Sequence, residues 1–265
     1  MHIEVFDFLK QPRNRNGVYD LLKNQGDYSL LLYSCLNLGL TGRVMARNKK
    51  NNRYSYVQKQ AEHTKFYNKN FNKTSSFSSV FSGSHFKNTS LVGAKFKYCN
   101  LDNVSFENCF LQGTHFKKCT HDGLKFERCI LISTSFERMQ LHGVEFVDCY
   151  ILSTNTHACK QFQNSKVYNS FPDGAQYPSD LMSIVDVLRE NSCIRKSGVL
   201  HRKGGKVNTI ALDFLLDEFG VNYLINNLAK LNTLESDFYT LSYISAFLRR
   251  VGNPDSLDIT RPTAT

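Results

Sequence analysis

Large apolar residues occupy every fifth position between residues 66 and 151, and few folds can use that spacing. Phe86, Phe96, Phe106, Phe116, Phe126, Phe136 and Phe146 stand ten apart, with Leu91, Leu101, Leu111, His121, Leu131, Leu141 and Ile151 midway between or just beyond them. Phe66, Phe71 and Phe81 carry the series backwards, and only Ser76 and His121 interrupt it. A helix repeats near 3.6 residues and a strand at 2, so neither sustains five. A second series lies two residues ahead of the first and is mostly slender: Ser84, Thr89, Ala94, Cys99, Val104, Cys109, Thr114 and Cys119. Two inward side chains separated by one outward residue are what a short extended segment provides. A turn must then absorb the odd residue, so the chain corners every five residues and coils. Gly83, Gly93, Gly113, Gly123 and Gly143 stand at those corners, where positive φ is expected.

Stretches such as Cys99-Asn-Leu101-Asp-Asn103 and Thr134-Ser-Phe136-Glu-Arg138 resemble the pentapeptide-repeat family. Its motif is a small residue, a polar one, Leu or Phe, then two polar ones. The resemblance covers roughly residues 61–160. It implies a right-handed quadrilateral β-helix with four pentapeptides per coil. The eighteen central positions then make about four and a half coils, stacked at about 4.8 Å per layer. The fold class expected is thus mainly β, a solenoid with an N-terminal cap and a C-terminal α-helical region. The expected divisions are 1–60 as cap and basic lead-in, 61–162 as the β-helix, 163–254 as helices and 255–265 as a tail.

In such a coil, residues twenty apart lie above one another. Phe96, Phe116 and Phe136 should stack on one wall and Phe86, Phe106, Phe126 and Phe146 on another. Cys109, Cys129 and Cys149 should form one thiol ladder, and Cys99, Cys119 and Cys159 a second. Stacked thiols lie somewhat beyond the reach of a disulfide, and no Cys-x-x-Cys pair offers zinc spacing, so reduced core cysteines are expected. No metal and no cofactor are expected. His121 should be an interior histidine with its polar atoms satisfied, and Ser76-Phe77 should mark a bulge or small loop.

The outward residues differ from wall to wall. Beside Leu91, Leu111, Leu131 and Ile151 lie Val92, Phe110, Ile130, Ile132, Tyr150 and Leu152, six apolar side chains in two rows. Such a patch needs a cover. Two readings stand: the chain's own C-terminal helices, or a partner surface for another protein or a second copy. The wall of Phe96, Phe116 and Phe136 is basic, with Lys95, Lys97, His115, Lys117 and Lys118 diluted by Glu137. The wall of Phe106 mixes Lys87 and Lys125 with Glu107, Glu127 and Glu145.

The net charge of +10 is spread as +6 over residues 1–60, +4 over 61–162 and zero beyond. Its densest run holds Arg43, Arg47, Lys49, Lys50 and Arg53, which are phosphate-contact candidates or a solvated loop. No apolar stretch approaches the ~18–20 residues of a membrane span, and Met1-His2-Ile3-Glu4-Val5 does not open like a secretory signal. A cytoplasmic protein with no membrane partner is therefore expected.

After residue 162 the five-residue period gives way to helical spacing. Ser179 is the expected cap of a helix carrying Leu181, Ile184, Val185 and Leu188. Leu212, Leu215 and Leu216 suggest a second that stops near Gly220, Val221 to Lys230 a third, and Phe238 to Leu248 a fourth. His201-Arg-Lys-Gly-Gly-Lys206 places two glycines among cations but lacks the phosphate-loop pattern. No nucleophile–base pair or dinucleotide fingerprint occurs, and an enzyme is not expected. Four functional readings follow: a scaffold binding a protein or its own copy, a topoisomerase-directed protein such as some family members are, a secreted effector, and nucleic-acid binding through Arg43 to Arg53 and the Lys95, Lys97 and Lys117 wall. A duplex mimic needs a dense negative surface, which a repeat region at net +4 lacks.

Overall fold

From Gln58 to Ser153 every fifth residue has left-handed backbone, with φ between 47° and 77°. This unbroken series of corners, only five of them glycine, wraps the chain. The computed structural model describes residues 55–156, 159, 161–233 and 240–252, all within one unit spanning 50–265.

Between corners lie three-residue strands: β1 (Lys65–Tyr67), β2 (Ser75–Phe77), β3 (His85–Lys87), β4 (Lys95–Lys97), β5 (Ser105–Glu107), β6 (Phe110–Gln112), β7 (His115–Lys117), β8 (Lys125–Glu127), β9 (Ile130–Ile132), β10 (Ser135–Glu137), β11 (Glu145–Val147), β12 (Tyr150–Leu152), β13 (Gln161–Gln163) and β14 (Lys166–Tyr168). They stack into parallel walls. A mixed-charge wall runs β1-β3-β5-β8-β11-β13, a basic wall β2-β4-β7-β10, and a third wall β6-β9-β12-β14. Single bridges such as Val80↔Asn100 and Asn100↔Thr120 form the fourth. The quadrilateral β-helix anticipated from the five-residue period is the fold observed.

The interior is filled by the central side chains. Phe96, Phe116 and Phe136 stack at 5.1 and 5.2 Å between ring centroids, with nearly parallel planes. Phe106, Phe126 and Phe146 do the same at 5.0 and 5.1 Å, and rings of the two walls meet edge-on, as Phe116 and Phe126 do at 6.2 Å. Offset and edge contacts of this kind add to area burial.

The slender positions have a polar task as well. Thr89 donates its hydroxyl to the Phe66 carbonyl at 2.9 Å, Thr114 to Leu91 at 2.8 Å, and Cys109 and Cys129 their thiols to Phe86 and Phe106 at 3.3 Å. Each reaches 23 residues back, to the coil below. A small side chain with one donor therefore both fits the corner and pins adjacent coils, which favours Ser, Thr and Cys there.

Several expectations are corrected. The coil does not end at 162, because β13 and β14 form a further layer with Phe162 on Phe146 and Val167 on Ile151. That layer is sixteen residues on rather than twenty, so the phase slips and the period is lost from sequence. Cys159 consequently leaves the ladder proposed with Cys99 and Cys119, and donates to the Val144 carbonyl at 3.0 Å. Ser76 and Phe77 form no bulge. They belong to β2 in regular register with β4, Ser76 lying buried beside Phe96. His121 is only half-buried, and its Nδ1 is buried without a partner. The shortened turn also leaves β10 without a strand above it. Asn155 fills the gap, accepting from the Phe136 amide at 2.8 Å and donating to its carbonyl at 3.2 Å.

Beyond the coil come α1 (Ser179–Val187), α2 (Ser192–Ser197), α3 (Thr209–Phe219), α4 (Val221–Asn227) and α5 (Leu241–Gly252). Ser179 is the first helical residue rather than the cap; Pro178 precedes it and makes no side-chain capping bond. Asn191 caps α2 by accepting from the Cys193 and Ile194 amides, and Asn208 caps α3 by accepting from Ala211. Gly220, with φ 77°, ends α3 and starts α4 in one residue. Phe238 and the 255–265 tail lie outside the described residues. None of the described helices is long and apolar enough to cross a membrane.

Candidate functional site

The six residues proposed as a partner surface are brought together on the third wall, but they are not free. Phe110, Ile130, Ile132, Tyr150 and Leu152 are buried in one core with Leu181, Val185, Ile210, Leu215, Leu224 and Ile244 of the helices, and Val92 packs against its margin. The cover is the chain's own helical module. This corrects the partner assignment. Three-residue strands here read Ile-Leu-Ile and Tyr-Ile-Leu with every residue buried, because the middle residue faces the coil interior and its neighbours face the helices.

A polar latch frames that apolar contact. Tyr150 and Lys166 both hydrogen-bond to Asp217 of α3. One turn earlier, Asp213 accepts from Tyr168 at 2.8 Å and from Tyr177 at 2.6 Å. Glu218 binds Arg249 at 2.7 Å and lies 3.6 Å from Arg128 of the coil. Burial pushes the Tyr150, Tyr168 and Tyr177 phenols well above the ordinary tyrosine value, with the facing aspartates adding to the shift. Sequence reasoning missed these carboxylates. They sit 36 to 67 residues along the chain from their tyrosines, and no local spacing announces the pairing.

Among the described residues, no helix packs on the basic wall. Lys95, Lys97 and Lys117 all lie on it, as expected, and the register sets Lys97 beside Lys117 and Lys95 beside His115. Lys118 and Arg138 extend it at the next corner and are exposed. Glu137 is its one carboxylate and pairs with Lys117 at 2.7 Å, a contact that holds the Glu137 carboxyl below the ordinary range. Lys95, Lys97, Lys118 and Arg138 have no ion-pair partner among the described residues. Like charges directly opposite across strands are unfavourable by roughly 0.2–1 kcal/mol, so Lys97 and Lys117 are placed against local preference.

The mixed-charge wall behaves differently. Glu107 and Glu127 also face each other in register, yet each has its own cation: Lys87 at 2.6 Å for Glu107, which His85 also approaches at 3.2 Å, and Lys125 at 2.8 Å for Glu127. Those two carboxylates are answered within the wall.

The remaining motifs resolve quietly. Residues 201–207 form a hairpin closed by a His201↔Val207 bridge, and Arg202 stacks 3.6 Å over the Phe171 ring while donating Nε to the Val207 carbonyl at 2.9 Å. Its job is local packing rather than cradling a phosphate. The ladder of Cys109, Cys129 and Cys149 holds: the Cys109 amide donates to the Cys129 sulfur at 3.4 Å, and burial raises the Cys129 and Cys149 thiols well above their ordinary value. No group of three potential metal ligands occurs among the described residues. Arg43, Arg47, Lys49, Lys50 and Arg53 lie outside the described residues.

Comparison with known proteins returns one family model, Pentapeptide repeats in eight copies, over residues 78–113. No curated protein matches the chain. Among solved structures, a pentapeptide repeat protein of the Arabidopsis thaliana thylakoid lumen is 13% identical, covers 64% of this chain and 98% of its own, and has a TM-score of 0.33. A trypsin-treated variant of QnrB1, a plasmid-mediated fluoroquinolone resistance protein, is 13% identical with 43% and 90% covered and a TM-score of 0.26. HetL of Nostoc sp. PCC 7120, involved in heterocyst differentiation regulation, is 12% identical with 48% and 58% covered and a TM-score of 0.23. These values carry no functional inference; the repeat model and the coil geometry agree by themselves. The matched residues 78–113 are pentapeptide repeats, and the same five-residue phase and four walls continue on either side of them.

Proposed function

We propose that the chain is a non-catalytic binding scaffold: a rigid coil that carries its helical module on one wall and presents the adjoining basic wall to the phosphates of a nucleic acid. The observation that carries this reading is the row of lysines on β4 and β7 and the following corners, with Lys97 set beside Lys117 and, apart from the Lys117–Glu137 pair, no ion-pair partners among the described residues. Cations stacked at strand spacing repel until an anion lies across them. Protein binding or self-association through Val92, Phe110, Ile130, Ile132, Tyr150 and Leu152 is disfavoured, since the helices occupy that ground. A topoisomerase-directed role by duplex mimicry is disfavoured by the sign of the open wall.

The test is the salt dependence of oligonucleotide binding by the full chain, read by fluorescence anisotropy. Four phosphate contacts on a single strand correspond to a log–log slope of about −3, or roughly 50-fold weaker binding at 200 than at 50 mM salt. The pair Lys95→Gln, Lys97→Gln should flatten the slope by about 1.4. Absence of binding at 50 mM salt, or a slope untouched by the pair, would refute the reading.

A further inference from the structure

One residue on the basic wall is neither cationic nor comfortable. Tyr98 sits at the corner after β4 with φ 55°, a left-handed conformation that a bulky L residue adopts at a cost. Most other corners use Gly, Asn, Ser or long charged chains and only His63 is another ring, so the position does not require one. Nor does the core, because Tyr98 is 47% exposed, one of three large hydrophobic side chains left so open among the described residues. Its surroundings are specific. Phe77 of the coil below meets it edge-on, 5.5 Å between centroids and 72° between planes, and buttresses the ring. Lys118 of the coil above places Nζ 5.3 Å from the ring centroid. The adjacent strand residues are Lys97 and Lys117.

An exposed, buttressed ring ringed by lysines is suited to one kind of polyanion. Phosphates satisfy the cations, and an unpaired base satisfies the ring, since every base offers a π face whatever its identity. A duplex keeps its bases stacked inside and can answer only the lysines. Resting on the nucleic-acid reading above, we infer that the wall takes single-stranded nucleic acid, with Tyr98 as the platform on which one base stacks and Lys95, Lys97 and Lys118 as contacts to the flanking phosphates. Stacking of this type is indifferent to sequence, so discrimination is between strand and duplex rather than among bases.

The chain has no tryptophan, so Tyr98→Trp introduces a single indole at the site as its own reporter. With the full chain and a labelled strand of about 15 nucleotides, alone or annealed to its complement, three results are expected. The single strand binds more tightly than the duplex. Tyr98→Ala weakens the single strand about 5- to 150-fold while leaving duplex affinity and the salt slope unchanged. Tyr98→Trp retains binding, and its emission is quenched by the strand but not by the duplex. If Tyr98→Ala binds the strand as the parent does, or the indole is unaffected by it, the stacking inference is overturned although lysine-dependent binding stands. If Lys95→Gln with Lys97→Gln also changes nothing, the nucleic-acid reading falls with it.

Discussion

Replacing Ile130 by Ala interrogates the wall that the helical module covers. Ile130 points outward from the coil, yet no part of it reaches solvent, because it lies between Phe110 and Tyr150 in register and packs into the core formed with the helices. Removing its three outer carbons forfeits their transfer free energy and leaves a cavity between two rigid layers. Substitutions of that kind cost about 2–5 kcal/mol. A domain of this size loses about 2–4 °C per kcal/mol, so a mid-range cost of about 3 kcal/mol lowers Tm by about 6–12 °C. Lys95 is the natural control, since it holds the same outward strand position on the open wall, and Lys95→Ala should stay within about 0.5 kcal/mol. Urea unfolding followed by circular dichroism measures both. Ile130→Asp adds an unpaired buried carboxylate, which the protein can relieve by lifting the helices, so amide exchange should quicken in α3 and α4 before the coil. Equal stability of the Ile130 and Lys95 alanine variants would refute the covered-wall account.

Other outcomes follow from the same coordinates. Gly113 has φ 63° and open space around an added Cβ, so Gly113→Ala isolates backbone strain and should cost about 1 kcal/mol, whereas Ser133→Gly, at a corner with φ 51°, should gain about 0.5 kcal/mol after the entropy of the freer unfolded chain; urea midpoints decide both. Buried Cys109, Cys129 and Cys149 should resist a disulfide-exchange reagent at neutral pH and react together only on unfolding, as mass spectrometry of the labelled peptides would reveal. The folded pKa values of Tyr150, Tyr168 and Tyr177 are raised, so their contribution is complete below the ordinary value of about 10 and drains away as pH climbs through the folded values. Stability should therefore fall above about pH 10, and Tyr168→Phe should soften that fall.

The five-residue period made the coil, its corners and its ring stacks legible, because each repeat packs only on its neighbours and so writes its geometry locally. What escaped was whatever broke or bridged that locality. The layer holding Phe162 and Val167 was hidden by a turn four residues short, which shifts every later residue out of phase. Ser76 suggested a bulge, yet β2 is held by backbone pairing that does not depend on its side chain. The apolar wall was visible in the sequence, but its occupant was not, since the choice between helices and a partner depends on docking across dozens of residues. Asp213 and Asp217 find their tyrosines only because α3 lies against Tyr150 and Tyr168. Lys95, Lys97 and Lys117 were legible for the opposite reason: neighbours twenty apart fall side by side, so a like-charge row can be read directly from the repeat.

Lysine acetylation of the full chain, quantified by mass spectrometry with and without a bound single strand, tests the division of labour among the walls most directly. Lys95, Lys97 and Lys118 should be modified readily in the free protein and shielded by the strand, while Lys87 and Lys125 on the mixed-charge wall keep their rates. Shielding of Lys87 and Lys125 instead, or no shielding anywhere on β4 and β7, would contradict the basic wall as the working surface.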